Sequence, residues 1–302
     1  MIRLDAATVL LQWAAGGLLF LWVTTRRREV GIGYGWLLRG TYGLMAAGAV
    51  WAGLALEPVP VREVAGGLVV VATAVALVVS VRRRQAGVAG QRAEAERKKQ
   101  RVAAMVAERG ENPSGLAETG FDRDEQTFDA DGAEFPPALD LVAPAIAVIG
   151  LLAAGIDAAA GGSTGDAVLS VARILAGAAF LGAVSDAMLL GHWYLVQPGL
   201  ARGPLLELVR LVGLTWPFEV ALLLVPTGMA SVWSGSIDDG YNGMLGWFWI
   251  ACAVTTIGLV FVTRAALKER YYSAVMAATG LLYLAILTAF GTDLVARAVL
   301  AG

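Results

Sequence analysis

The stretch "DAATVLLQWAAGGLLFLWVTTRRR", residues 5–28, decides the fold class. Its run of roughly 20 mainly apolar residues is the length that crosses ~30 Å of hydrocarbon as a helix. Arg26, Arg27 and Arg28 follow it, where a removable leader would carry a small-residue cleavage site. The segment therefore reads as a retained anchor, with the arginines holding its second end in the cytoplasm and the N-terminus outside.

Working outward, comparable runs recur at 33–56, 63–81, 138–160, 166–195, 204–230, 243–264 and 271–297, which with 5–25 makes eight expected spans. The runs are continuously apolar rather than alternating, which excludes barrel strands and makes the fold class all-α. Composition agrees: 57% of the 302 residues are hydrophobic and 16% charged, with a mean hydropathy of +0.66, far above the need of a soluble domain. Arg82, Arg83, Arg84, Arg202, Arg264, Lys268 and Arg270 fall on the same side as the first arginines when eight spans alternate. Both termini are then outside, and the expected location is the plasma membrane.

The chain divides into three parts: spans one to three in 1–81, a hydrophilic cytoplasmic stretch in 82–137, and spans four to eight in 138–302. The hydrophilic stretch starts basic and helix-forming, "QRAEAERKKQRVAAMVAERG", with Gly110 and Pro113 as stop signals. It turns acidic and disorder-prone in "ETGFDRDEQTFDADGAEFPP". That tract is not a calcium loop, because setting Gly132 at the loop glycine puts Thr127 and Ala138 where acidic ligands belong. Cys252 is the only cysteine and His192 the only histidine, so disulfides, thiolate clusters and zinc motifs are ruled out within the chain. No phosphate-binding glycine loop, nucleic-acid motif or catalytic motif occurs, and the partners to expect are the bilayer and another membrane protein.

An offset of 134 residues superposes "RGTYGLMAAGAV" from Arg39 on "RILAGAAFLGAV" from Arg173. Three helices separate the copies, which is the logic of a 3+3 inverted repeat. Charged groups inside hydrocarbon cost about 2.5–3.5 kcal/mol each on insertion scales, so each needs a partner or a purpose. They concentrate in the hairpin of spans five and six around Pro198. Asp186 and Arg210 each lie 12 residues from that tip and are expected to pair, as are Arg173 with Glu219 and His192 with Glu207. Glu207 and Arg210 share a helix face, and Pro217 is expected to kink span six beside Glu219.

The candidate ligand or proton site is thus Asp186, His192, Trp193, Tyr194, Glu207, Arg210 and Glu219, with Arg173 and Arg39 as structural ion-pair candidates. His192 beside Trp193 and Tyr194 suits a quinone headgroup or proton relay, or simply an aromatic interface belt. Haem requires a partner chain or a homodimer, because one histidine cannot supply two imidazole ligands. The leading expectation is a non-catalytic membrane subunit of a multi-component complex, associated with electron transfer at the hairpin. The alternatives are an ion-coupled secondary transporter and a lipid-processing enzyme using Asp186, His192 and Glu207.

Overall fold

A computed structural model describes residues 4–93, 95–97, 100, 128–129, 132–197, 200–225, 228–269 and 271–301, and among these every regular element is helical. The long helices are α1 (Ala6–Thr25), α2 (Ile32–Ala55), α3 (Pro60–Arg82), α4 (Val142–Ala158), α5 (Thr164–Val196), α6 (Gly203–Leu224), α7 (Met244–Lys268) and α8 (Tyr272–Leu300). A single turn of helix, Met229–Trp233, lies between α6 and α7. Six of these helices, all but α2 and α6, are long and apolar enough to cross a membrane by themselves. The chain is therefore a multi-pass helical membrane protein in its architecture. At 33 residues, α5 is the longest, about 50 Å end to end.

Local chemistry sets the helix ends. Asp5 caps α1 by accepting from the amides of Ala7 at 3.0 Å and Thr8 at 3.2 Å. Ser163 and Asp166 close a reciprocal capping box on α5, and Pro60 opens α3 with a ring that needs no amide partner. Arg202 bonds the carbonyls of Leu267, Glu269 and Tyr271, placing a cation at the negative end of α7 and bracing the turn into α8.

Helices α1 to α4 close one four-membered ring, α1 against α2 and α4, and α3 against α2 and α4; α5 to α8 close a second in the same order. The rings meet chiefly where α1 packs on α5, flanked by α4 on α5. This is a 4+4 arrangement, and it corrects the expected 3+3 inverted repeat. In an inverted repeat the extensive α1–α5 packing demands an equivalent α4–α2 packing, and α4 does not pack on α2. The match between Arg39 and Arg173 reflects the small residues that line every close-packed membrane helix.

The seam between rings depends on missing side chains. A Cβ at Gly16 would lie 1.8 Å from the Ala178 carbonyl oxygen, and one at Gly182 would lie 2.2 Å from the backbone of Gly16. Without a hydrophobic force between helices in lipid, such close backbone packing is the main source of cohesion. Cys252 is buried where Gly291 leaves it room, as a small packing residue does.

The start of α1 and the end of α8 lie on one face of the bundle, here the terminus face, and the described residues of 82–137 on the other, the loop face. Basic residues crowd the loop face. Residues 89–93 and 95–97 of the basic tract are helical; the rest of that expected helix, and most of the acidic tract, lie outside the described residues. The end of the acidic tract is seated rather than solvated, which differs from the expectation. Glu134 pairs with Arg28 at 3.0 Å and with Arg92, and Phe135 is buried beneath the Arg39 guanidinium at 4.3 Å.

On the terminus face, Asp239 organises the turn before α7. Its carboxylate accepts from the amides of Gly243 at 2.8 Å, Tyr241 at 2.9 Å and Leu245 at 2.9 Å. Those bonds, the one from Gly243 foremost, hold it below the usual carboxylate range. The stabilisation is complete above the ordinary Asp range and is lost as pH falls through the lowered value. Amide exchange at Tyr241, Gly243 and Leu245 should accelerate across that acid step in the wild type, with no such step in Asp239→Asn. Gly182→Leu should lower stability in detergent by about 1–3 kcal/mol or more, whereas Gly258→Ala, which adds a methyl to open space, should leave the melting temperature unchanged.

Candidate functional site

The buried polar residues do not assemble along the α5–α6 hairpin as expected; they gather across the ring seam. Arg297 on α8 donates to Asp293 at 2.7 Å, one turn earlier on the same helix, and to the amide oxygen of Gln12 on α1. Gln12 in turn reaches Asp293 at 3.5 Å. All three side chains are completely enclosed. Gly177 on α5 permits this, since a Cβ there would stand 2.2 Å from the Gln12 amide nitrogen and 3.0 Å from Asp293.

Glu219 enters the same cluster from α6. It is 1% exposed, neither of its carboxylate oxygens meets an N–H or O–H donor among the described residues, Asp293 stands within hydrogen-bonding reach of it, and it interacts electrostatically with Asp293, Arg297 and Arg173. Arg173 itself spends its donors on the carbonyls of Leu222 at 2.8 Å and Val225 at 3.2 Å, which terminate α6. The expected Arg173–Glu219 pair is thus replaced by a helix-end cap, for the physical reason that the last carbonyls of α6 have no acceptor-satisfying amide within the helix. Glu219 remains within the arginine's field without a direct bond. Two carboxyls beside two guanidiniums, in a space closed to bulk water, can share and exchange a proton where isolated charges could not be held.

A crevice on the terminus face leads toward this cluster. It is lined by Asp5, Thr8, Glu57, Arg62, Asp157 and Arg297, with about 20 Å³ of water-sized space, enough for one water. Arg62 is the crevice's fixed post, bonded to Asp5, to Thr8 at 2.9 Å, to the Glu57 carbonyl at 2.7 Å and to Glu63 at 2.8 Å. The loop face is closed by contrast. Glu207 bridges Arg26 at 2.5 Å and Arg27 at 3.0 Å, tying α6 to the end of α1. Arg39, buried with Asp140 at 2.8 Å through both guanidinium edges, locks α2 to the segment entering α4.

The remaining expected pairs are corrected. Asp186 is buried and bonded by Tyr42 on α2, while Arg210 is exposed on the outside of α6; equal depth along two helices did not put them on facing sides. His192 is exposed and its Nδ1 is 3.0 Å from the Tyr283 hydroxyl on α8, whereas Glu207 is taken by Arg26 and Arg27. Asp186, His192 and Glu207 therefore have separate partners and form no common acid–base group. Trp193 donates to Gln197 at 3.0 Å and packs edge-on to Tyr34, and Tyr194 is buried, donating to the Ala201 carbonyl at 2.6 Å. These hold the hairpin tip. Arg39 pairs with Asp140.

Sequence reading missed Gln12, Asp293 and Arg297, and with them the centre of the site. The spacing of Asp293 and Arg297, four apart within an apolar run, was the available signal.

A ring-paired bundle of apolar helices enclosing a carboxyl and guanidinium cluster defines a multi-pass membrane protein with a buried charge site. No family profile, curated protein or solved structure matches the chain.

Removing one member of a buried ion pair strands the other. Arg297→Met should destabilise the detergent-solubilised protein by about 3–5 kcal/mol, read as a fall in thermal midpoint. Arg210→Met, on the exposed side, should change it little.

Proposed function

We propose that this chain is an eight-span carrier of the plasma membrane, with both termini outside, that moves protons through the Glu219–Asp293 pair. The observation that carries the reading is Glu219: a fully buried carboxyl that meets no N–H or O–H donor among the described residues and stands within hydrogen-bonding reach of a second acid, Asp293, beside two arginines. Such a group is costly to keep for structure alone, and in membranes it is the usual mark of an ion or proton path. The crevice that reaches Arg297 from the terminus face supports loading from outside, and the Arg26–Arg27–Glu207 clamp supports a closed cytoplasmic side. Helices α2 and α6 cross with the other six in this reading. Their lower hydropathy stems from Arg39 and from Glu207, Arg210 and Glu219, which the rings or the interfaces accommodate.

The test is proton flux into liposomes holding the purified full-length protein and a pH-sensitive dye. An imposed gradient should collapse faster than in empty liposomes. Glu219→Gln should return it to the empty-liposome rate, and flux unchanged by that substitution overturns the reading.

A second reading, a non-catalytic subunit of a multi-component electron-transfer complex, draws on the exposure of His192 and Arg210 at the hairpin, where a quinone headgroup or a partner helix has access. It expects stoichiometric recovery with oxidoreductase or cytochrome chains from native membranes in mild detergent, and recovery of the chain alone overturns it.

A further inference from the structure

A second buried acid lies on the α1–α5 seam, beyond the Gly16–Gly182 crossing from the Glu219 cluster. Asp186 is wholly enclosed. One carboxylate oxygen accepts from the Tyr42 hydroxyl at 2.5 Å, and the other has no hydrogen-bond partner among the described residues. The backbone carbonyl of Asp186 accepts from the Tyr34 hydroxyl at 3.3 Å. The room for this arrangement is made by Gly17 on α1, where a Cβ would stand 2.0 Å from the Tyr42 ring.

No cation offsets the carboxyl. None of the ion pairs among the described residues includes Asp186, and the titratable groups that face it are the two tyrosines of α2, with Tyr194 beyond Tyr34. From α1, the near polar group is the Trp13 indole, held by Ser185 at 2.7 Å. A buried charge without a counter-charge costs several kcal/mol, and a carboxyl so placed binds a proton in preference to holding the charge. The tyrosine hydroxyl can donate to Oδ1 in either state, which leaves Oδ2 as the oxygen that gains and loses the proton. A metal ion is a poor occupant, because one carboxylate beside hydroxyls already engaged in hydrogen bonds offers too few anionic oxygen ligands.

We propose that Asp186, oriented by Tyr42 and Tyr34, is a second proton-binding site of this bundle, separated from the Glu219–Asp293 pair by the Gly16–Gly182 contact. In the loading step a hydronium ion gives its proton to the carboxylate Oδ2, forming the neutral acid and a water; release is the reverse. This extends the carrier reading, placing one site toward each side of the narrowest point of the seam. Movement of α1 on α5 is what joins them.

The experiment is infrared difference spectroscopy of the full-length protein in lipid nanodiscs, titrated in pH, run beside the liposome flux assay. A carbonyl-stretch band of a neutral carboxylic acid should be present in the wild type and missing in Asp186→Asn. It should shift in Tyr42→Phe, which keeps the acid and removes the bond to Oδ1, and that variant serves if Asp186→Asn does not fold. A spectrum identical in wild type and Asp186→Asn overturns the proposal, as does a band unmoved by Tyr42→Phe. An Asp186 band in a wild type that shows no flux supports this site and defeats the carrier reading, so the two failures are distinguishable.

Discussion

The contact of α1 and α5 at Gly16 and Gly182 is the constraint on which the rest of the structure depends. Two backbones meet there with no side chain between them. In water such a contact would be one among many, but lipid gives helices no hydrophobic reason to associate, so close approach and polar bonding must hold the two rings together. The polar contacts of both candidate proton sites are arranged along or beside that seam: Gln12 with Arg297 on one side of it, Trp13 with Ser185 across it, and Tyr42 with Asp186 on the other.

The polar residues divide by what they can afford to be. Arg39 with Asp140, and Arg62 with Asp5, Glu63 and the Glu57 carbonyl, are fully bonded and tie neighbouring segments of the first ring. Arg173 and Arg202 cap helix ends whose carbonyls would otherwise face nothing. Glu219 and the second oxygen of Asp186 differ in kind, since they are buried and unpartnered. A buried carboxyl without a donor costs far more than a bare hydroxyl or indole, and this cost is the physical basis for reading the two as proton sites.

The two faces are unequal. The terminus face has a water-sized crevice lined by acids and two arginines, while the loop face is bound by charge, with Glu207 holding the adjacent Arg26 and Arg27 and Glu134 joining Arg28 to Arg92. Those loop-face bonds are partly exposed and individually weak. The deep Arg39–Asp140 pair belongs to the lasting frame.

Hydropathy runs, the arginine clusters and the caps at Asp5 and Ser163 are properties of adjacent residues, so the helical membrane architecture, its long helices to within a few residues, and its basic loop face were legible in the linear chain. Azimuth was not. Asp186 turns toward α2 and Arg210 away from the bundle, and nothing local records which way a helix faces once all sides are apolar. The charges around Glu219 lie on α5 and α8, with Gln12 of α1 bonded to two of them, and only the closing of two four-helix rings brings them together. Sequence by itself determined what must be buried in hydrocarbon; the tertiary packing, through glycines that set where backbones touch, decided which charges meet and which are left without a partner.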